Sequence, residues 1–218
     1  LIGFHGEGSL SLVEKALGDS DDEVRRVAAS VLEEHGEADF LKLIVYALGD
    51  KDKQVRYLAA RALRSRKDED ASEAIKKLLE SRSVETRRSV AEALEGREDA
   101  RSLVLIDGLL DDLDREVRLF AAQALSGRRD KGMLPLIKKA MDSQDVGVRH
   151  RASVALIGHQ DAASLALIVK ALDEGDLGVR LNAVSALGDR RDAASLVLIK
   201  KLLSDGDKDV RYGAEIAF

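Results

Sequence analysis

The chain has 218 residues, 45% of them hydrophobic but only 3% aromatic, and its 35 basic against 40 acidic side chains leave a net charge of −5. One proline, Pro135, speaks against an all-β fold, and the lack of cysteine excludes disulfides, zinc–cysteine sites and thiol nucleophiles. No apolar run reaches the roughly 20 residues that span a bilayer. The acidic balance without a strong basic stripe speaks against a dedicated DNA or RNA binder, and with no signal peptide visible a cytoplasmic protein is expected.

Along the chain a segment recurs every 31 residues: DDEVRRVAASVL from Asp21, DKQVRYLAARAL from Asp52, SVETRRSVAEAL from Ser83 and DREVRLFAAQAL from Asp114. It continues as DVGVRHRASVAL from Asp145, DLGVRLNAVSAL from Asp176 and DKDVRYGAEIAF from Asp207. Apolar residues three and four apart, as in Val117, Ala121, Ala124 and Leu125, predict an amphipathic helix in each copy. A second helix is predicted between successive copies, clearest in DAASLALIVKAL from Asp161 and DAASLVLIKKLL from Asp192. It carries the row Ile44, Ile75, Ile106, Ile137, Ile168 and Ile199, and a matching row of Leu17, Leu48, Leu79, Leu110, Met141, Leu172 and Leu203.

Start signals support both helices. Asp21, Asp52, Ser83, Asp114, Asp145, Asp176 and Asp207 precede the first helix, and Glu37, Asp68, Asp99, Asp130, Asp161 and Asp192 the second. Short oxygen-bearing side chains accept from the free N–H groups of an opening turn; Glu37 is a poorer cap that still suits the helix dipole. Helices this short are marginal alone, so each hairpin must bury its stripe against the next. Leu1-Ile2-Gly3 shares a frame with Leu156-Ile157-Gly158, and Phe218 with Leu187. Partial repeats at both ends and no polar caps make a piece of a longer array the expectation.

A unit reading D-x-x-V-R-x-x-A-x-x-A-L, followed by a Leu/Ile-rich second helix, resembles the HEAT repeat; its 31-residue length is similar to the HEAT-like repeats named after phycobilisome lyases. The resemblance implies an all-α, right-handed α-α superhelix, an armadillo-like solenoid of seven helix-turn-helix repeats in one domain over residues 1–218. It also implies a hydrogen-bonded ladder of Arg25, Arg56, Arg87, Arg118, Arg149, Arg180 and Arg211 with the Asp row Asp21, Asp52, Asp114, Asp145, Asp176 and Asp207. Independently, arginine in the first turn of a helix opposes the macrodipole and needs a partner. The Asp four residues earlier is the first candidate, as in Asp114 with Arg118, and an Asp of an adjacent repeat the second. Ser83 interrupts the Asp row, so the ladder is expected to be weakest around Arg87.

Four histidines are the candidates for metal ligation or proton transfer. His35 and His159 share the turn frame of Arg66, Arg97, Arg128 and Arg190, and His5 lies in a neighbouring turn position; all three histidines are expected in solvent, and the Arg row to cap the first helices. His150, in the frame of Tyr57, Leu119 and Leu181, is expected half-exposed. No His-Glu pair of the kind found in iron-dependent HEAT-type hydroxylases is present, so no catalytic residue, cofactor or metal is expected. Absence of Trp speaks against a HEAT-like DNA glycosylase. The repeat type also suggests a subunit of a bilin lyase.

In such solenoids the second helices usually line the concave face. Their outward positions hold Lys15, Lys77, Lys139, Lys170 and Lys201 in one row, interrupted by Tyr46 and Gly108, with Lys76, Lys138 and Lys200 beside them. One turn earlier, Val104, Pro135, Ala166 and Val197 form an apolar strip. Together they suggest a groove for an acidic or amphipathic segment of another protein. The lysines also suit helix C-termini without any ligand.

Overall fold

Each predicted helical segment is a helix in a computed structural model of the chain, which describes residues 7–35, 37–129 and 132–218. Leu1-Ile2-Gly3, His5 and Asp130 fall outside the described residues. In chain order the helices are α1 (Glu7–Leu17), α2 (Asp22–Ser30), α3 (Ala38–Ala47), α4 (Lys53–Ser65), α5 (Glu69–Leu79), α6 (Val84–Ala93) and α7 (Ala100–Leu109). Then follow α8 (Arg115–Gln123), α9 (Met133–Met141), α10 (Val146–Val154), α11 (Ala162–Leu172), α12 (Leu177–Gly188), α13 (Ala193–Leu202) and α14 (Lys208–Ala217). Even-numbered helices are the first helices of their repeats and odd-numbered ones the second. A 3₁₀ turn, Leu32–Glu34, follows α2, and no strand occurs among the described residues.

The helices divide into two compact units, Leu1–Leu105 and Ile106–Phe218, with the boundary inside α7. Within the first unit, α2 packs on α4 and α4 on α6, while α1 packs on α3 and α3 on α5. Within the second, α8, α10, α12 and α14 form the same succession, and α9 packs on α11. Each unit is thus a two-layer stack in which like meets like, the arrangement that lets a short hairpin bury its stripe against its neighbours.

The two layers are filled differently. In the second helices, Ile44, Ile75, Ile106, Ile137 and Ile168 are fully buried and Ile199 is 3% exposed. In the first helices, the frame seven residues after the Asp cap is alanine at Ala59, Ala121, Ala152, Ala183 and Ala214, all without solvent exposure. A one-carbon side chain there lets successive first helices lie close together. The Asp row starts these helices as expected: Asp52 accepts from the Gln54 and Val55 amides, Asp114 from Val117 and Asp176 from Val179, while Ser83 serves α6 through Thr86. Asp68, Asp161 and Asp192 do the same for α5, α11 and α13, whereas Glu37 makes no side-chain cap. Gly96, Gly127 and Gly158 take positive φ values of 73°, 77° and 85°, a conformation glycine reaches without a Cβ clash, and turn the chain sharply at the end of α6, α8 and α10.

Replacing Ile137 by alanine removes a fully buried side chain and should cost about 2–5 kcal/mol in urea unfolding. Val197→Ala, at an exposed position in the same layer, should stay within about 0.5 kcal/mol. Equal losses at the two sites would contradict the layered core.

Candidate interaction surface

The arginines of the D-x-x-V-R segment are tied to backbone rather than to the Asp four residues earlier, whose oxygens are engaged in capping. In six of the seven, one Nη1 donates to the carbonyls five or six residues back, in the turn after the preceding second helix: Arg25 to Asp19 and Ser20, Arg56 to Asp50 and Lys51, Arg87 to Ser81, Arg118 to Asp112 and Leu113, Arg149 to Ser143 and Gln144, Arg211 to Asp205 and Gly206. Carbonyls past a helix C-terminus are where a cation is favoured, which offsets the unfavourable position at the N-terminus of its own helix. Carboxylates of the next repeat join in places. Arg25 Nε lies 2.8 Å from Asp50, Arg149 Nε 3.3 Å from Glu174, and Arg180 3.4 Å from Asp207. A neighbouring pair, Arg26 with Asp52 at 2.8 Å, holds the Asp52 carboxyl far below the usual carboxylate range through its hydrogen bond, against the opposing effect of burial.

The second basic row is buried: Arg66, Arg97, Arg128 and Arg190 are 8%, 2%, 1% and 7% exposed, and the expected capping of a first helix is seen at Arg97, which meets the C-terminal end of α4. Arg66 Nη1 donates to the Glu37 carbonyl at 2.9 Å, Arg97 to the Arg66 and Leu63 carbonyls, and Arg190 to the His159 carbonyl at 2.8 Å. Each therefore reaches into the turn of the repeat before it. The Nε atoms of Arg66, Arg97 and Arg190 lie 3.1, 3.2 and 2.8 Å from Asp68, Asp99 and Asp192, which cap the following helix at the same time. Buried Ser164 and Ser195, absent from the sequence expectations, accept from Arg190. An Arg-x-Asp spacing repeated at the 31-residue step was the signal for this row.

His159 occupies the same row and is 7% exposed, contrary to the expected solvated turn. Its Nε2 has no hydrogen-bond partner, and its Nδ1 is 3.9 Å from Asp161. Burial, then the nearby Arg129 charge, pushes its pKa below the ordinary histidine value, while Asp161 and a hydrogen bond to the Arg128 carbonyl pull the other way. His35 is half-buried and stacks on Phe40 with ring centroids 4.1 Å apart. His150 is exposed beside Asp176. Among the described residues no three His, Cys, Asp or Glu side chains are grouped to hold a metal ion.

The outward faces of the second helices carry the remaining candidates. In the first unit Lys15 and Lys77 are exposed, and Lys77 lies 3.8 Å from Glu73 on its own helix. Val104, 74% exposed, lines a cleft of about 320 Å³ with Glu69, Ser72, Glu73, Lys76 and Arg101, bridged by an Arg101–Glu69 pair at 2.9 Å. In the second unit the lysine row is largely occupied. Lys139 Nζ holds Asp107 at 2.6 Å and Asp111 at 2.7 Å; burial works against its charge, but these bonds keep its pKa raised. Lys170 pairs with Asp142, which Lys138 also meets at 2.9 Å. Lys201 is exposed, and so are Pro135, Ala166 and Val197, the last by 67%.

A sequence profile of the HEAT repeat family matches residues 10–95, 102–174 and 136–218. No curated protein matches the chain. Among solved structures, the Escherichia coli protein YibA is similar over 98% of this chain and 82% of its own, at 18% identity and a TM-score of 0.60. An engineered protein is similar over 97% of this chain and 67% of its own, at 26% identity and a TM-score of 0.54. The complex of CpcE and CpcF of phycocyanin lyase from Nostoc covers all of this chain and 97% of its own, at 22% identity and a TM-score of 0.50.

Arg97→Met should leave the Arg66 and Leu63 carbonyls without their donor and lower stability by about 1–3 kcal/mol; an unchanged urea midpoint would remove the row from the account of stability. The depressed His159 pKa means that the fold favours the neutral ring, so its contribution is complete above the unfolded value of 6.5 and fades as pH falls below it. Thermal midpoints of the wild type should drop between about pH 7 and about pH 5.5 more steeply than those of His159→Gln. Parallel profiles would contradict the burial argument.

Proposed function

The chain belongs to the HEAT repeat family, and on that footing we propose that it is a non-catalytic scaffold whose second helices receive a segment of another protein. The carrying observation is the solvent-exposed apolar frame of these helices, Val104 in the first unit and Pro135, Ala166 and Val197 in the second. Outward-facing charged residues would serve solubility better, and none of the packing within either unit requires an apolar side chain there. The proposal is consistent with the fold-level likeness to a complex of two chains, CpcE and CpcF. A bilin-lyase subunit is the other reading suggested by that likeness; no outward residue favours it.

Lysine reversal is a poor test, because Lys139 and Lys170 hold carboxylates of the preceding repeat. Val197→Asp and Val104→Asp alter exposed positions instead. In affinity capture from the source cell, at least one of them should lose about tenfold of a bound protein, with the helical dichroism unchanged. Capture that both variants leave intact would sink the strip as a docking surface.

A further inference from the structure

The second unit separates its lysines by what they already hold. Lys139 is committed to Asp107 and Asp111, and Lys138 and Lys170 share Asp142. Among the described residues no carboxylate pairs with Lys200 or Lys201. Lys200 instead lies 5.8 Å from the centre of the Phe218 ring, and Asp173, in the frame of Asp142, holds neither lysine. Uncompensated positive charge on this face is therefore concentrated on the last turn of α13. Residues three and four apart share a helix face, which places Lys200 and Lys201 beside the exposed Val197.

The apolar surface next to that charge is built from short side chains. It consists of Pro135 on α9, Ala166 and Val169 on α11 and Val197 on α13. Short side chains give no deep pockets for the alternating residues of an extended peptide, but they suit the broad apolar stripe of a helix. α9 packs on α11, and at the usual spacing of stacked helices, about 8–10 Å, a strip over three second helices measures about 20 Å, which a helix of about 13 residues would cross at 1.5 Å per residue.

We propose that this face of the second unit docks an amphipathic helix of a partner protein, its apolar stripe over Pro135, Ala166 and Val197 and its Asp or Glu residues over Lys200 and Lys201. The inference rests on the scaffold reading and adds the partner's chemistry. Opposite charges fix the register of such a helix and speed its encounter, while the apolar stripe supplies the buried area. The lysines committed to Asp107, Asp111 and Asp142 contribute little.

The test is to pan a library of short displayed peptides against the whole chain, then measure the selected peptides with variants. Enriched sequences should carry apolar residues at helical spacing with Asp or Glu on one flank. Val197→Asp should abolish their binding, and Lys200→Gln with Lys201→Gln should weaken it about tenfold and flatten its salt dependence, all with unchanged circular dichroism. Peptides without acidic bias, or indifferent to the lysine pair yet lost on Val197→Asp, would overturn the acidic partner and leave the scaffold standing. Binding untouched by Val197→Asp, or no enrichment over the Val197→Asp bait, would overturn the docking face itself. A self-associated chain in light scattering that Val197→Asp renders monomeric would put a second copy in the partner's place.

Discussion

Stacking helical hairpins brings many helix ends together, and every end strands backbone groups that no helix can satisfy. The structure depends on how those groups are answered. Asp or Ser side chains take the N–H groups at most helix starts, as Asp52 and Asp68 do. Two rows of arginine take the carbonyls: one row returns to the turn just before its own helix, and the other reaches the turn of the preceding repeat. A guanidinium presents several donors in a fixed fork, so one side chain can serve two carbonyls and a carboxylate together, as Arg190 does with His159, Asp161 and Asp192. Lysine would offer the charge without that geometry.

Because the frame is held by residues in the turns and between the layers, the outer face of the second helices is free to differ from repeat to repeat. α5 opens with Glu69, Asp70 and Glu73, whereas α11 and α13 present Ala162, Ala163, Ala166, Ala193 and Ala194 at comparable outward positions. The same backbone thus offers a charged cleft at Val104 and an exposed apolar strip at Val197. Function in such a protein lives in this variation and not in the repeat itself.

The repeat, both helices and most of their caps were legible because identical residue types recur at one interval. Burial of the isoleucine row followed from the same regularity. The arginine of the first helix was legible as a charge needing a partner, but Asp114 was assigned to Arg118 when its oxygen is spent on the Val117 amide. Local spacing could not reveal that Asp112 and Leu113 offer bare carbonyls nearby. His159 was placed in solvent because a charged turn usually is; its burial, like that of Arg97, arises from the adjacent repeat, whose carbonyls Arg97 meets at Leu63 and Arg66. For the lysine row the position was legible and the occupancy was not, since Lys139 meets Asp107 and Asp111 from 32 and 28 residues earlier.

The contrast between the alanine column of the first helices and the isoleucine and leucine rows of the second has a mechanical consequence. Ala121, Ala152 and Ala183 have no rotamers to exchange, so this column cannot loosen by reshuffling side chains. In the second layer the unbranched Met141 keeps three rotatable bonds with which to re-nest, whereas the β-branched Ile137 is held at χ1. Within a unit the alanine column is therefore the contact least able to adjust, and what adjustment the stack allows falls to longer side chains such as Met141.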